Sequence, residues 1–197
     1  MRLWLVRHAP VLLPPGQCYG ALDVPADPQA TRQCALDLSR LLPQGARVST
    51  SPLQRCEQLA QFLQGLRPDL ILRTDARLRE MDFGSWEGRR WDAIAQGEFD
   101  AWTADFAGHA VGGHGETVRA VMARVGDAFD AVAGPADAVW ITHAGIIRAT
   151  QLIAHGIRQV SRADQWPLDG LACGQWRTLE LSLNNSPFQR STPAVNR

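Results

Sequence analysis

The sequence contains no lysine, a single tyrosine and no excess of charge of either sign. Its 20 basic residues, all of them arginine, balance 20 acidic residues, so the formal net charge at pH 7 is zero. A nucleic-acid-binding surface normally shows a basic excess or a basic stripe, whereas these arginines are scattered among acidic residues. We therefore expect no nucleic-acid partner.

Long apolar runs and paired cysteine motifs are also absent. No apolar run reaches the roughly 18 residues of a membrane-spanning helix, and the apolar stretch within residues 1–10 is too short for a secretory signal. Cys18, Cys34, Cys56 and Cys173 show neither CxxC nor CxxH spacing, which argues against a zinc site or a redox pair. We expect a cytoplasmic protein with free thiols, no membrane partner and no bound metal or cofactor.

Length and composition favour one globular domain. The 197 residues are 45% hydrophobic and 20% charged, which supplies enough apolar material for a sizeable core. Because an ordinary domain has about 100 to 150 residues, we expect a single domain over residues 1–197 with room for a modest insertion.

Short apolar runs alternate with amphipathic segments along the chain. This order predicts a three-layer α/β sandwich with a mainly parallel sheet between two helical layers. Ser51 followed by Pro52 predicts the start of the second helix, because serine is a good N-cap and proline suits the first helical position. We predict strands at residues 2–6, 46–50, 70–73, 138–142 and 175–183, and helices at residues 29–42, 51–65, 117–132 and 143–154.

Between the third and fourth predicted strands the apolar pattern weakens and aromatic residues cluster. We interpret residues 85–115 as a small inserted helical lid. Its rings could offer a stacking surface to a flat ligand, although the helical spacing of Trp91 and Trp102 favours packing of the lid onto the body of the domain. The aromatic residues are Trp86, Trp91, Phe99, Trp102 and Phe106.

Three polar segments follow predicted strands. Arg7 and His8 follow the first strand, residues 51–55 follow the second, and His143 follows the strand at residues 138–142. In an open parallel sheet the ligand binds beyond the carboxyl ends of the strands. We therefore expect these side chains to converge on one pocket.

Two imidazoles and two guanidiniums in one pocket favour a phosphate over a metal ion. Arginine repels cations, and its planar fork matches two phosphate oxygens. Arg55 lies in the first turn of a predicted helix, where the helix dipole disfavours a cation unless an anion binds beside it. The free N–H groups of the helix that begins at Ala144 would be further anion donors.

A neutral imidazole in such a pocket can attack phosphorus and form a phosphohistidine. The leaving alkoxide then needs a proton, which a carboxylic acid can supply. Glu80, Asp82 and Glu87 all lie in the loop after the third predicted strand, and their spacing does not choose among them.

Four motifs in order resemble those of the histidine phosphatase superfamily, the phosphoglycerate mutase-like proteins. Leu5-Val6-Arg7-His8 resembles the family's RHG signature, and residues 51–55 resemble SPLxR. Residues 78–88 resemble LxExxFGxWEG, and residues 142–148 resemble (T/S)HGGxxR. The resemblance covers most of the chain and implies a phosphoglycerate mutase-like fold.

The resemblance also implies a role for each matching residue. His8 would be the phosphorylated nucleophile, while Arg7, Arg55 and His143 would bind the phosphoryl group. Glu80 would be the proton donor and later the base that activates water, and no metal would be needed. Glu116, in a segment similar to the family's GES, is as consistent with a helix-start carboxylate as with a site residue. Arg148 is consistent with pocket support or with a structural ion pair.

The sequence departs from the family pattern after the nucleophile. Ala9 replaces a glycine, and Pro10, Val11 and Pro14 replace residues that can contact phosphate or substrate in relatives. Ala144 also replaces a glycine. These changes put substrate contact through residues 9–16 in doubt, so specificity does not transfer from the mutases.

Among the subgroups, the chain looks most like the alpha-ribazole phosphatases of cobalamin synthesis, which remove the 5'-phosphate of alpha-ribazole 5'-phosphate. The implied partner is a small-molecule phosphate ester. A broad-specificity or sugar-phosphate phosphatase, a phosphoglycerate mutase and a noncatalytic phosphate-binding protein remain alternatives. The stretches that carry this resemblance are residues 1–8, 19–25, 83–88 and 173–176 together with Asn184-Asn185.

Overall fold

A computed structural model describes residues 1–181 of the chain. Its strands are β1 (Arg2–Arg7), β2 (Arg47–Thr50), β3 (Ile71–Thr74), β4 (Ala138–Thr142) and β5 (Trp176–Glu180). They form one five-stranded sheet in the order β3-β2-β4-β1-β5, in which β5 is the antiparallel edge strand and the other pairings are parallel. The expected α/β fold with a mainly parallel sheet is confirmed.

Helices cover both faces of this sheet. They are α1 (Pro28–Leu41), α2 (Gln54–Leu66), α3 (Gln96–Ala104), α4 (Val118–Asp130) and α5 (Ala144–Ala154). Helices α1 and α2 pack together against one face, whereas α4 and α5 pack together against the other. Single-turn helices lie at Ala76–Leu78, Gly84–Trp86, Trp91–Ala93, Val111–Gly113 and Ala163–Gln165.

The side chains of β1 show why the strand is a continuous apolar run. Leu3 and Leu5 belong to the hydrophobic core on the side of α4 and α5, and Trp4 and Val6 belong to the core on the side of α1 and α2. Successive strand side chains point to opposite faces, so a strand covered on both faces must be apolar throughout. The sheet is therefore the middle of three layers.

Helices α1, α4 and α5 begin within one residue of their predicted starts, whereas α2 begins three residues later than predicted. Asp27 caps α1 by accepting a hydrogen bond from the Ala30 N–H group (2.7 Å), and Thr117 caps α4. The prediction that Ser51 caps the second helix is wrong. Helix α2 begins at Gln54 with Leu53 as its N-cap, and the Ser51 hydroxyl accepts from the Leu53 N–H group (3.3 Å) and from a buried histidine ring beyond β4.

The segment predicted as a lid, residues 85–115, contains α3 and several single-turn helices. It is anchored by Trp86, which is completely buried and donates a hydrogen bond from Nε1 to Glu98 Oε2 (2.6 Å). Strand β5 ends at Glu180, so part of the predicted strand at 175–183, together with Asn184-Asn185, lies outside the described residues. Within residues 1–181, no helix has the length and apolar character needed to cross a bilayer.

Candidate active site

The three central strands of the sheet, β1, β2 and β4, are parallel, so their carboxyl ends lie side by side at one edge of the sheet. Just beyond β1, the His8 N–H group donates to the Thr142 carbonyl of β4 (3.1 Å). Just beyond β2, the Ser51 N–H group donates to the Ile141 carbonyl (2.9 Å). Because β4 lies between β1 and β2, the residues that follow these strands are brought together.

A cavity of about 490 Å³ opens at this edge of the sheet. Its size falls within the range of roughly 300 to 1,000 Å³ typical of small-molecule sites. The expected convergence of the polar segments is thus found. All six residues predicted for catalysis or phosphate binding line this cavity, namely Arg7, His8, Arg55, Glu80, His143 and Ala144.

His8 is buried and held in one tautomer. Its Nδ1 lies 2.7 Å from the Ala9 carbonyl oxygen. A carbonyl can only accept a hydrogen bond, so Nδ1 carries the proton and Nε2 keeps its lone pair. Burial lowers the pKa of His8 to about 3, and the positive charges of Arg55 and Arg7 act in the same direction. His8 is therefore a neutral imidazole with a free Nε2.

His143 is also buried, in the opposite tautomer. Its Nδ1 accepts a hydrogen bond from Arg55 Nε (3.2 Å), so its Nε2 carries the proton and donates to Ser51 Oγ (2.8 Å). Burial holds the pKa of His143 well below its usual value, with Arg55 adding to the effect. The His143 ring centroid lies 5.2 Å from that of His8, and contact with a phosphoryl oxygen would require Nε2–H to leave Ser51.

Arg55 is completely buried at the start of α2. Besides His143, it donates to the carbonyls of Gly20 (2.7 Å) and Leu22 (2.9 Å). Its guanidinium lies 5.3 Å from the Tyr19 ring centroid, in the range of a cation–π contact. Three of its five N–H groups are occupied within residues 1–181, and two remain for an anion.

Arg7, at the end of β1, is tied to the loop that precedes β5. Its NH1 donates to the Leu171 carbonyl (2.6 Å), and its Nε is buried without a partner among the described residues. Arg7 and Arg55 thus place two cations beside the uncharged His8 ring. This pairing attracts a dianion while leaving His8 Nε2 unprotonated.

The three carboxylates of the 78–88 loop have different surroundings. Glu80 lines the cavity, where its Oε2 accepts from the Gly145 N–H group (3.0 Å). Asp82 accepts from the Gly84 N–H group (2.8 Å) and supports the turn. Glu87 accepts from the N–H groups of residues 20, 21, 22 and 83 at 2.9 to 3.1 Å, which fixes the loop that holds Arg55. Of the three, Glu80 alone lines the cavity.

Gly145 is required by the position of Glu80. A Cβ at residue 145 would lie 2.4 Å from Glu80 Oε1, which is far inside van der Waals contact. Helix α5 begins at Ala144, as predicted, so Glu80 occupies one of the N–H groups at the start of this helix. The carboxyl group is thus held between two segments 65 positions apart.

Two residues left open by the sequence have distinct positions. Glu116 forms a two-pronged ion pair with Arg124 at 2.8 and 2.9 Å and does not line the cavity. Arg148 does line the cavity, and its NH2 lies 3.4 Å from the Leu168 carbonyl. The described residues hold no acidic partner for Arg148, which favours the pocket-support interpretation.

Aromatic rings form another part of the cavity lining, which we call its aromatic end. Trp91, Trp102 and Phe106 line it, whereas Trp86 and Phe99 lie behind them as packing. Trp91 and Trp102 each stand edge-on to Trp86, with centroid distances of 6.3 and 5.7 Å. The same two rings therefore pack the segment and face the ligand space.

Several lining residues were missed from the sequence. Tyr19, Trp166 and Leu168 line the cavity, and residues 9–16 do not. Tyr19 carried a signal, since it opens the 19–25 stretch and is the sole tyrosine. Trp166 and Leu168 lie in a loop without periodicity, and only the folded chain brings them to the cavity.

The described residues offer no obvious metal cage. Within residues 1–181, no group of three or more His, Cys, Asp or Glu side chains is placed to hold a metal ion. The charged and titratable groups that line the cavity include three arginines, two neutral histidines and one carboxyl group, a donor set suited to a phosphate ester.

Comparison with known proteins agrees with this geometry. The family described as "Histidine phosphatase superfamily (branch 1)" matches residues 3–179. TTHB049 from Thermus thermophilus is 27% identical with a TM-score of 0.70, over 91% of this chain and 94% of that one. A mycobacterial glucosyl-3-phosphoglycerate phosphatase is 26% identical with a TM-score of 0.71, over 90% and 88%. A protein titled mycobacterial hydrolase 1 is 26% identical with a TM-score of 0.72, over 90% and 87%.

A curated relative matches a shorter stretch. Porphobilinogen deaminase from Paenibacillus macerans is 36% identical over 91 residues, or 42% of this chain. The match spans 26% of the length of that relative. This likeness is therefore partial, whereas the likeness to the solved structures covers nearly the whole chain.

Proposed function

This chain belongs to the histidine phosphatase superfamily (branch 1), and on that premise we propose that it is a metal-independent phosphomonoesterase that works through a phosphohistidine at His8. The observation that carries the proposal is the His8 tautomer. Its Nδ1 donates to the Ala9 carbonyl, so the Nε2 lone pair of a neutral ring lies in a cavity lined by three arginines and a carboxyl group.

In the first step, His8 Nε2 attacks phosphorus and the bond from phosphorus to the ester oxygen breaks. Glu80 gives its proton to the departing alkoxide, while Arg7 and Arg55 stabilise charge on the equatorial oxygens. His143 would add the donor Nε2–H. In the second step, water attacks the phosphohistidine and Glu80 takes the water proton, which releases phosphate and restores neutral His8.

For the substrate we propose alpha-ribazole 5'-phosphate, a monophosphate with a flat, apolar base. The cavity supports this choice because its polar end fits one phosphoryl group and its other end presents aromatic rings. We further propose that residues 85–115, which supply most of these rings, act as a lid over the bound base.

A sugar-phosphate phosphatase is the second candidate. Arg148 lines the cavity and could contact a hydroxyl or carboxylate of a sugar-derived ester. The likeness to a mycobacterial glucosyl-3-phosphoglycerate phosphatase points the same way. A mutase or a noncatalytic phosphate-binding protein has no comparable supporting observation.

The test is phosphate release in EDTA from a panel of esters, with His8→Ala as the control. The panel contains alpha-ribazole 5'-phosphate, glucosyl-3-phosphoglycerate, 3-phosphoglycerate, a fructose bisphosphate and 4-nitrophenyl phosphate. We expect a kcat/KM preference for alpha-ribazole 5'-phosphate and loss of release in His8→Ala. Similar rates on every ester would retain the chemistry and reject this substrate, and His8-independent release would reject the mechanism.

A further inference from the structure

Arg124, on α4, uses all five of its N–H groups although it does not line the cavity. Its Nε and NH2 donate to the two carboxylate oxygens of Glu116, at 2.8 and 2.9 Å. Its NH1 donates to the carbonyls of Arg77 and Arg79, both at 2.7 Å, and its NH2 also reaches the Glu80 carbonyl at 3.3 Å. One buried guanidinium thus holds three points of the loop that ends in Glu80.

Glu116 binds the backbone on the other side of Glu80, at Asp82. Its Oε2 accepts from the Asp82 N–H group (3.2 Å), and its own N–H group donates to the Asp82 carbonyl (2.8 Å). The backbone is therefore fixed both before and after Glu80 by a single ion pair. Both ion-pair side chains are largely buried, at 14% and 15% exposed, so solvent competes little for these bonds.

We propose that the Arg124–Glu116 pair is the positioning element for the general acid, and this inference rests on the proposed function of Glu80. General acid catalysis requires the carboxyl group within hydrogen-bond distance of the leaving oxygen. The pair fixes the Glu80 backbone, while the Gly145 N–H group holds the carboxyl tip in space that a Cβ at residue 145 would fill. Arg124 and Glu116 are positioning residues, because neither faces the ligand space.

A purely structural role is the competing explanation, and the chain contains a matched control. Arg67 binds both carboxylate oxygens of Asp69, at 2.7 and 2.8 Å, and three carbonyls, those of residues 39, 42 and 43. It has the same bonding pattern as Arg124 and similar exposure, 19%, but it joins the ends of α1 and α2 away from the cavity. Arg67→Gln therefore reports the effect of losing such an arginine on the fold alone.

The discriminating measurement is the dependence of kcat/KM on the leaving group. An alkyl ester must receive a proton as it leaves, whereas 4-nitrophenolate is stable as the anion and needs none. The best alkyl ester of the panel and 4-nitrophenyl phosphate are compared for wild type, Arg124→Gln, Glu116→Gln and Arg67→Gln. Glu80→Gln provides the reference pattern for a lost acid.

We expect Arg124→Gln to lower kcat/KM for the alkyl ester about 100-fold and for 4-nitrophenyl phosphate by less than about threefold. The physical reason is that a displaced Glu80 no longer reaches the leaving oxygen, while attack by His8 is unchanged. Because Glu80 also activates water, 4-nitrophenyl phosphate should give a burst of one nitrophenol per enzyme followed by slow turnover. Arg67→Gln should lower the melting temperature without changing the ratio between the two esters.

The outcomes separate failure of this inference from failure of the proposed function. An equal loss on both esters in Arg124→Gln, without a burst, would overturn the positioning role. If Arg124→Gln does not fold, the same ratio of kcat/KM between the two esters is measured in Glu116→Gln. This variant has a side chain of the same shape and keeps one oxygen acceptor. Wild-type rates in His8→Ala would instead overturn the phosphohistidine mechanism.

Discussion

The two ends of the cavity are built in different ways. At the polar end, charged and titratable groups follow regular elements and are held by backbone atoms, as Arg55 is held by the Gly20 and Leu22 carbonyls. At the aromatic end, rings from loops and short helices are held by one another, as Trp102 is held by Trp86 and Phe106. The first arrangement fixes charges in place before a ligand arrives, and the second provides an apolar surface of a given shape.

This difference assigns separate tasks to the two ends. In the proposed mechanism, the fixed charges next to His8 act on the phosphoryl group, which every phosphate ester shares. Apolar surface acts on the group that the ester carries, which differs between substrates. Changes to the fixed cations of the polar end should therefore affect all esters alike, and changes at the aromatic end should affect their ranking.

The largest effect is expected from Arg55→Ala. Loss of a buried cation beside the phosphoryl group should lower kcat/KM by about 100- to 1,000-fold on every ester. Steady-state rates on the panel measure this, with Arg40→Ala, whose side chain is 74% exposed, as the unaffected control. A loss confined to one ester would contradict the division of tasks.

The next largest effect is expected from Glu87→Gln, which should lower the stability of the fold. A neutral amide has one acceptor oxygen for the four N–H groups that the carboxylate now binds, which should cost about 2 to 4 kcal/mol of the free energy of unfolding. Urea denaturation measures it, with Asp82→Asn as the matched change, since Asp82 accepts a single N–H bond from Gly84. Equal losses in the two variants would show that Glu87 does not hold the loop.

A pH dependence of stability should come from the polar end. Because burial lowers the pKa of His8 to about 3, the unfolded chain binds more protons than the folded chain between about pH 3 and 6.5. The stabilisation is therefore complete above about pH 6.5 and is lost as the pH falls. His8→Gln should make this fall shallower by up to about 1.4 kcal/mol per pH unit, as followed by urea denaturation at pH 7, 6 and 5. A steeper fall in the variant would contradict the assignment.

The smallest effect is expected at the mouth of the aromatic end. Leu168 lines the cavity but is 94% exposed, so Leu168→Ala should leave the melting temperature unchanged. Loss of its apolar contact should raise KM about threefold for an ester with an apolar base and leave 3-phosphoglycerate unaffected. Leu12→Ala, also exposed but outside the cavity, is the control. Equal changes in KM for both esters would remove the distinction between the ends.

Much of this architecture could be predicted from local patterns. The strands were predicted to within one or two residues wherever the structure describes them, and for β1 and β4 the reason is that burial on both faces leaves a continuous apolar run. The start of α2 was predicted wrongly at Ser51, and local capping preferences gave no sign that the Ser51 hydroxyl also binds His143, 92 positions away. The residues at 78–88 did not by themselves distinguish Glu80, Asp82 and Glu87, because all three are carboxylates in the same loop. Only the family resemblance pointed to Glu80.

The amino-acid sequence by itself determined the alternation of strands and helices and the kinds of polar residue that follow the strands, because both depend on neighbours a few positions apart. Tertiary structure decided which carboxyl group faces the cavity, which nitrogen of each histidine carries the proton and which loops supply Trp166 and Leu168. Those features depend on contacts between distant segments, such as Glu80 with Gly145 and Arg55 with His143. A hydrogen bond requires its two atoms within about 3 Å, and only the folded chain sets that distance.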